Sequence, residues 1–510
     1  MSATASHAQG LEGSRFVVRQ FYRMANRRLP GRAQRDPFTK RLCSEGSMRT
    51  LPLELRTHWP FPGAACCQLA ELPNYKAAPL QALGNVYAPS VSKLLVLVFV
   101  IMLEIAAFKP ASADPLTPLS SPPNWARLQK FQGTITHDQF FRLLNDVYAV
   151  GGTAQKWIKV EPDYAEIQPS GGHWLKLRFA KDGGKPIPKF WHDPKTLPAN
   201  NDKPLTGLTI ALDPGHLGGP WAKMEERWFQ IGNSEPIREG DLTLQTAKRL
   251  APRLQELGAK VVFVHSKPGP VTSLRPDDLR SEARASLKSL GVQPILQTYK
   301  GPADPEKAHS ITWEAERLFY RVAEIHERAR RVNRILKPDL TLCLHFNAEP
   351  WGDPANPTLT DIDHLHLMVN GAYAESELAY ADVRYQMLLK LLSQSFDEEL
   401  GIAESVAHSL SDATKLPAYH YDSDNAHAVG ASGYVWARNL LANRLYHCPV
   451  AYVECYVMNS HDFFDRFQAG EYDGLREFNG VMHKNIYAEY ADGVAQGLAD
   501  YFRAVRGGQK

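Results

Sequence analysis

Four stretches of the sequence are almost wholly apolar over the length of a strand: residues 208–213 (LTIALD), 260–265 (KVVFVH), 340–346 (LTLCLHF) and 450–455 (VAYVEC). A strand with one wetted face alternates polar and apolar residues, whereas a run without alternation has to be buried on both faces. The intervening sequence changes to helical periodicity. Over 241–257, closed by Gly258, Leu250, Leu254 and Leu257 share one face, although Pro252 is expected to distort that helix or restart it. A second helix is expected near 312–336, ahead of Pro338. Residues 364–369 read as a further strand, 375–414 as a long helical region and 485–505 as a closing helix. Strands alternating with helices predict an α/β fold, a mainly parallel sheet covered by helices on both faces.

Charge divides the chain. Residues 1–93 hold 13 Lys or Arg against 5 Asp or Glu, and residues 114–510 hold 44 against 49, a balance of −5. A nucleic-acid partner calls for a basic face, and 114–510 contains no such cluster, so no nucleic-acid partner is expected. Residues 94–108 (LLVLVFVIMLEIAAF) follow Lys93 and precede Ala111, Ser112 and Ala113, the order of a secretory signal. The run falls short of the roughly 20 apolar residues of a membrane span. The expectation is an exported protein, periplasmic or extracellular, with no stable membrane anchor.

The domains then read as a disordered or mis-assigned leader over 1–90, a signal peptide over 91–113, a small α+β domain with linker over 114–206, and a catalytic domain over 207–510. Initiation at Val91 through a non-AUG codon would account for the leader, and the mature chain would begin at Asp114. Cys43, Cys66 and Cys67 fall in the leader, and the remaining Cys343, Cys448 and Cys455 form no disulfide framework. Cys343 and Cys455 read as small core residues.

Four short stretches place an ionisable group at a strand or helix end: D-P-G-H (213–216), R-E-G-D (238–241), L-H-F-N-A (344–348) and Y-V-E-C (452–455). Open α/β sheets bind ligands just beyond the carboxyl ends of their strands. His216, Glu239 and His345 supply two imidazoles and a carboxylate, a common catalytic zinc set that leaves a position for water. Glu454, on a buried strand, has the chemistry of a general base. Each residue alone has a plainer use: His216 and His345 as core histidines, Glu239 as a helix-start carboxylate, Glu454 as half of a buried ion pair. No local spacing such as H-E-x-x-H ties them together.

The order and content of these stretches, together with LQELGAKVVFVH, KPDLTLCLHFNA and CPVAYVE, resemble the zinc-dependent N-acetylmuramoyl-L-alanine amidases of the type-3 amidase family from about residue 208 to 498. The resemblance implies Zn2+ held by His216, Glu239 and His345, with Glu454 as the catalytic glutamate. It further implies peptidoglycan or muropeptide as substrate, cut between muramic acid and L-alanine, and leaves room for a regulatory protein partner. The chain departs from the family pattern in several places. His216 and Glu239 are separated by 22 residues, which makes Glu225, Glu226 and Glu235 rivals for the ligand, and Leu217 stands where a glycine is customary. Glu454 runs into Cys-Tyr-Val-Met-Asn-Ser, and 267–310 and 349–363 are extra. Residues 221–237 are expected to overhang the metal, with Trp221, Trp228 and Phe229 stacking on substrate or packing onto the domain. Two alternatives stand beside the amidase: a catalytically inactive wall-binding or regulatory protein, and a zinc hydrolase of another amide such as soluble muropeptides.

Overall fold

The four apolar runs become neighbouring strands of one seven-stranded sheet in the computed structural model, which describes residues 114–169, 173–181 and 183–507. The expected leader and signal peptide lie outside the described residues. The strands are β1 (Thr209–Pro214), β2 (Lys260–Phe263), β3 (Leu340–Asn347), β4 (Leu365–Val369), β5 (Ala426–Ala428), β6 (Val435–Arg438) and β7 (Val450–Val457). Their order across the sheet is β5-β6-β4-β7-β3-β1-β2. Pairs β1/β2, β1/β3, β3/β7 and β4/β6 are parallel, while β4/β7 and β5/β6 are antiparallel. The fold is α/β with a mainly parallel sheet.

Alternation along each strand divides the sheet into two faces. Ile210, Leu212, Leu342, Leu344 and Val453 enter the main core against the helices α1 (Glu239–Glu256), α4 (Phe396–Thr414) and α5 (Ile486–Gly507). Ala211, Cys343 and Val450 point the other way and pack on Ala329 and Val332, from the helical stretch that contains α2 (Ile311–Leu318) and α3 (Glu324–Arg330). Two residues further along β1, β3 and β7, that second face carries Asp213, His345 and Tyr452, with Glu454 one step beyond. The same alternation that builds the core thus sets the ionisable groups in one row.

Several helices differ from expectation. The helix α1 begins at Glu239 and runs through Pro252 without a break. Pro252 and Lys248 are both exposed, so the carbonyl that loses its donor faces water. The 311–336 stretch is continuous but widens into π turns over 319–323 and 331–336, ending at left-handed Lys337. The long helical region divides into 375–378, 381–393 and α4. The extra segment 267–310 contains a helix, Arg280–Ser289. The strand β6 had no sequence expectation.

Residues 114–206 supply a helix, His137–Leu143, and three antiparallel strands, Ile158–Val160, Tyr164–Ile167 and Leu175–Arg178. Their Phe140, Val147 and Trp157 belong to the same hydrophobic core as Val369 and Leu391. The amides of Ala372 and Tyr373 donate to the carbonyls of Val147 and Tyr148, both at 2.7 Å. Cys343, Cys448 and Cys455 are buried free thiols. Among the described residues no helix is long and apolar enough to cross a membrane.

Candidate active site

The turn after β1 is held from below by a buried network. Asp213 accepts from Arg328 Nη1 at 2.9 Å and from the Tyr446 hydroxyl at 2.5 Å. Arg328 also donates to the carbonyls of Pro214 and His216, each at 2.8 Å, and to Glu324 Oε1 at 2.8 Å. His265 Nε2 meets the Pro214 carbonyl at 2.8 Å. Fastened in this way, His216 takes up a left-handed backbone, φ 63°, which costs a non-glycine residue energy and persists only where its surroundings impose it.

Glycine is required twice. A Cβ on Gly215 would fall 2.3 Å from the His345 ring, so only glycine lets that imidazole lie over the turn. A Cβ on Gly240 would fall 2.3 Å from the Gly218 nitrogen. The start of α1 therefore sits directly on the loop that follows His216. Asp241 Oδ1 accepts from the Gly219 amide at 2.7 Å, and Thr243 Oγ1 donates to the Gly215 carbonyl at 2.8 Å. This docking brings the Glu239 carboxylate between the two histidines.

Glu239 Oε2 is 3.0 Å from His216 Nε2, and Oε1 is 3.1 Å from His345 Nδ1. The ligand atoms of the three residues all lie within 4.8 Å of one another. Two imidazole nitrogens and one carboxylate oxygen around a common point are the donor chemistry of a divalent zinc-type site, so the residues present fit such an ion. Burial alone would raise the Glu239 carboxyl, but His216 and then His345 outweigh it and hold it well below the ordinary range. Burial opposes protonation of His216, yet Glu239 and Glu225 raise it, whereas burial leaves His345 lowered.

The residues around this set orient it. Glu225 Oε1 is 3.5 Å from His216 Nδ1, and its other oxygen accepts from the Leu217 amide at 2.9 Å. Arg227 Nε is 3.2 Å from Glu239 Oε2. The His345 ring stacks on Tyr452, 4.4 Å between centroids and 16° between planes. Of the rivals for Glu239, Glu225 faces the outer nitrogen of His216. Glu226 pairs with Lys307 at 2.7 Å and Trp313 Nε1 at 3.1 Å, and Glu235 is exposed.

Glu454 is directly opposite His345 in the parallel ladder and opposite His366 of β4 in the antiparallel one. Burial, then Glu239, push its carboxyl well above the ordinary range, against Arg227 and Arg438. His216, Glu239, His345 and Glu454 all line one cavity of about 300 Å³.

The segment 221–237 folds back as a short hairpin, Trp228–Phe229 against Ile237–Arg238. Its aromatic rings are spent mostly on packing. Trp221 lies 5.5 Å from Phe319, and buried Phe229 stacks on Trp351 at 5.2 Å. What the segment brings to the site is Glu225 and Arg227, two residues that sequence reasoning missed in those roles. His366 was also missed, although the H-L-H spacing of 364–366 on a strand puts both imidazoles on one face.

No family model matches the chain. Over 119 residues it is 31% identical to the "Probable cell wall amidase LytH" of Staphylococcus aureus, a match covering 23% of this chain and 38% of that relative. The chain therefore spans less than half the length of the curated relative it matches. Among solved structures it is similar to the N-acetylmuramyl-L-alanine amidase Ami1 of Mycobacterium smegmatis, with 16% identity, a TM-score of 0.31, and 59% of this chain and 99% of that one covered. It is also similar to the CwlD amidase of Clostridioides difficile, solved with the GerS lipoprotein, with 11% identity, a TM-score of 0.32, and coverage of 58% and 100%.

Proposed function

We propose that this chain is an exported zinc-dependent N-acetylmuramoyl-L-alanine amidase, which hydrolyses the amide between the lactyl group of muramic acid and the L-alanine of the stem peptide. The observation that carries this reading is the convergence of His216, Glu239 and His345 within 4.8 Å, with Glu454 next to His345 in the ladder and all four in one cavity. The likeness to a probable cell wall amidase supports it, and the signal-like run before Asp114 supports export.

His216, Glu239 and His345 would hold the zinc, which when bound polarises the scissile carbonyl and acidifies the attacking water. Glu454 takes a proton from that water as its oxygen adds to the carbonyl carbon. When the C–N bond breaks, its electron pair leaves on nitrogen, and Glu454 returns the proton there. Glu454 lies beside His345 in the same cavity, where one carboxyl can serve both halves of this exchange. Glu225 fixes the His216 ring through its outer nitrogen, and Arg227 steadies the Glu239 carboxylate.

The test is incubation of the zinc-loaded protein with intact sacculi and, separately, with muropeptides, followed by mass analysis of products. Free stem peptide is expected. Glycan released with its peptides still attached would assign a different bond and defeat the reading. Cleavage confined to muropeptides would move the substrate from the wall to its soluble fragments.

A further inference from the structure

On the side of Glu454 away from His345, the same sheet face continues through His366 of β4 to Arg438 at the end of β6. The cavity runs along it, and His366, Tyr421 and Arg438 all line the wall. These side chains form a directed chain. Arg438 Nη1 donates to the Tyr421 hydroxyl at 3.0 Å, and that hydroxyl lies 3.0 Å from His366 Nε2. A guanidinium only donates, so the Tyr421 proton is free to go to His366 Nε2, a better acceptor than the Met368 sulfur 3.4 Å away. The guanidinium carbon also lies 5.1 Å over the Tyr421 ring. Arg438 is thus held in place by a neutral partner.

Two of the other three cavity arginines make the contrast. Arg227 is paired with Glu239, and Arg328 with Asp213 and Glu324. Arg438 forms no ion pair among the described residues, and it shares the cavity wall with Glu454. A positioned, partly exposed guanidinium with donors to spare is a preorganised acceptor of a carboxylate.

We propose that Arg438, anchored by Tyr421, is an anion subsite that binds a carboxylate near the start of the released peptide, and so sets substrate preference. This rests on the amidase reading. The position follows from the sheet. From β7, which carries Glu454, to β6 there are two strand spacings, roughly 10 Å. Arg438 lies four residues along β6 from the point level with Glu454 and His366, a further roughly 13 Å along the strand, a separation shortened by the reach of both side chains. An extended peptide covers about 3.3–3.6 Å per residue. A peptide whose scissile nitrogen is served by Glu454 and which runs along this face therefore brings one of its first few residues to the guanidinium.

The experiment compares two muropeptides that differ only in whether the second residue carries a free carboxylate or the carboxamide. The wild-type protein is expected to favour the carboxylate by about tenfold to a hundredfold in kcat/KM, the range of a hydrogen bond to a charged group. Arg438→Gln is expected to bring that ratio near one, and Tyr421→Phe to lower it in part. In parallel, the free carboxylate peptide is titrated into the zinc-free protein, and Arg438→Gln should weaken its binding by a similar factor. A wild-type ratio near one, or a ratio and peptide affinity unchanged in Arg438→Gln, overturns the subsite. Failure of the wild type to cleave either substrate would count against the amidase reading, and the peptide titration would still decide the subsite.

Discussion

The His345 ring stands where a side chain on Gly215 would have to be: a Cβ there would lie 2.3 Å from the imidazole. Imidazole and turn are therefore mutually dependent. Gly215→Ala is expected to displace His345, lowering zinc content and thermal stability together. Metal analysis by mass spectrometry and a melting curve of the same preparation check this. Wild-type zinc content in a folded Gly215→Ala protein would show that the contact is dispensable.

Glu239 touches both histidines, whereas Glu454 faces them from the next strand. Glu454→Gln keeps the shape and loses the base, so zinc should stay near one per chain while turnover falls by roughly 10²–10⁴-fold. Glu239→Gln and His345→Ala should lose metal as well as activity. Zinc lost from the Glu454 variant but retained in the Glu239 variant would exchange the two roles.

Arg328 is buried and bonded to Asp213, Glu324 and two carbonyls of the turn that carries His216. Arg328→Met leaves two buried carboxylates without their cation, a loss of about 3–5 kcal/mol by comparison with broken buried pairs. A lower urea midpoint is expected. Arg328→Lys should recover little, because one ammonium cannot span the fork of acceptors. An unchanged midpoint in Arg328→Met would mean the network is not holding the turn.

Burial pushes the Glu398 carboxyl of α4 up to about 8, with Asp193 and Glu399 adding to the effect and Lys189 opposing it. In the unfolded chain a glutamate titrates near about 4.3. Between those values the folded protein keeps a proton that the unfolded chain has released, so stability is full below about 4.3 and falls as pH rises toward 8. Glu398→Gln should flatten that fall, read as a smaller difference between urea midpoints at pH 5 and pH 8. An identical pH dependence in the variant would place the proton elsewhere.

Deleting 222–234 removes Glu225 from His216 and Arg227 from Glu239. The deletion is therefore expected to weaken zinc binding as well as alter substrate choice, measurable by chelator competition. The sequence alone reads the segment as an overhang above the metal and gives it no part in holding it. Normal zinc affinity in the deletion would restore that view.

Burial pattern and local chemistry are written in the sequence. Runs without alternation, such as 340–346, have to be buried on both faces, and their alternation with helical segments predicts the parallel sheet. Asp-Pro-Gly ends a strand and exposes the residue after it, so His216 stood out, as did a glutamate at residue 454 inside an apolar run. What only the tertiary structure decided is proximity. His345, Glu454 and His366 are neighbours because β3, β7 and β4 pair in one register, though 108 residues separate His345 from Glu454. Glu239 rather than Glu225 or Glu226 lies between the two histidines because Gly240 seats α1 on Gly218. Arg227 and Arg438 reach the cavity from a loop and from a four-residue strand with no sequence signal of its own. Strand pairing and close backbone contact join residues without regard to their spacing along the chain, so periodicity and motif order could nominate the site residues but not assemble them.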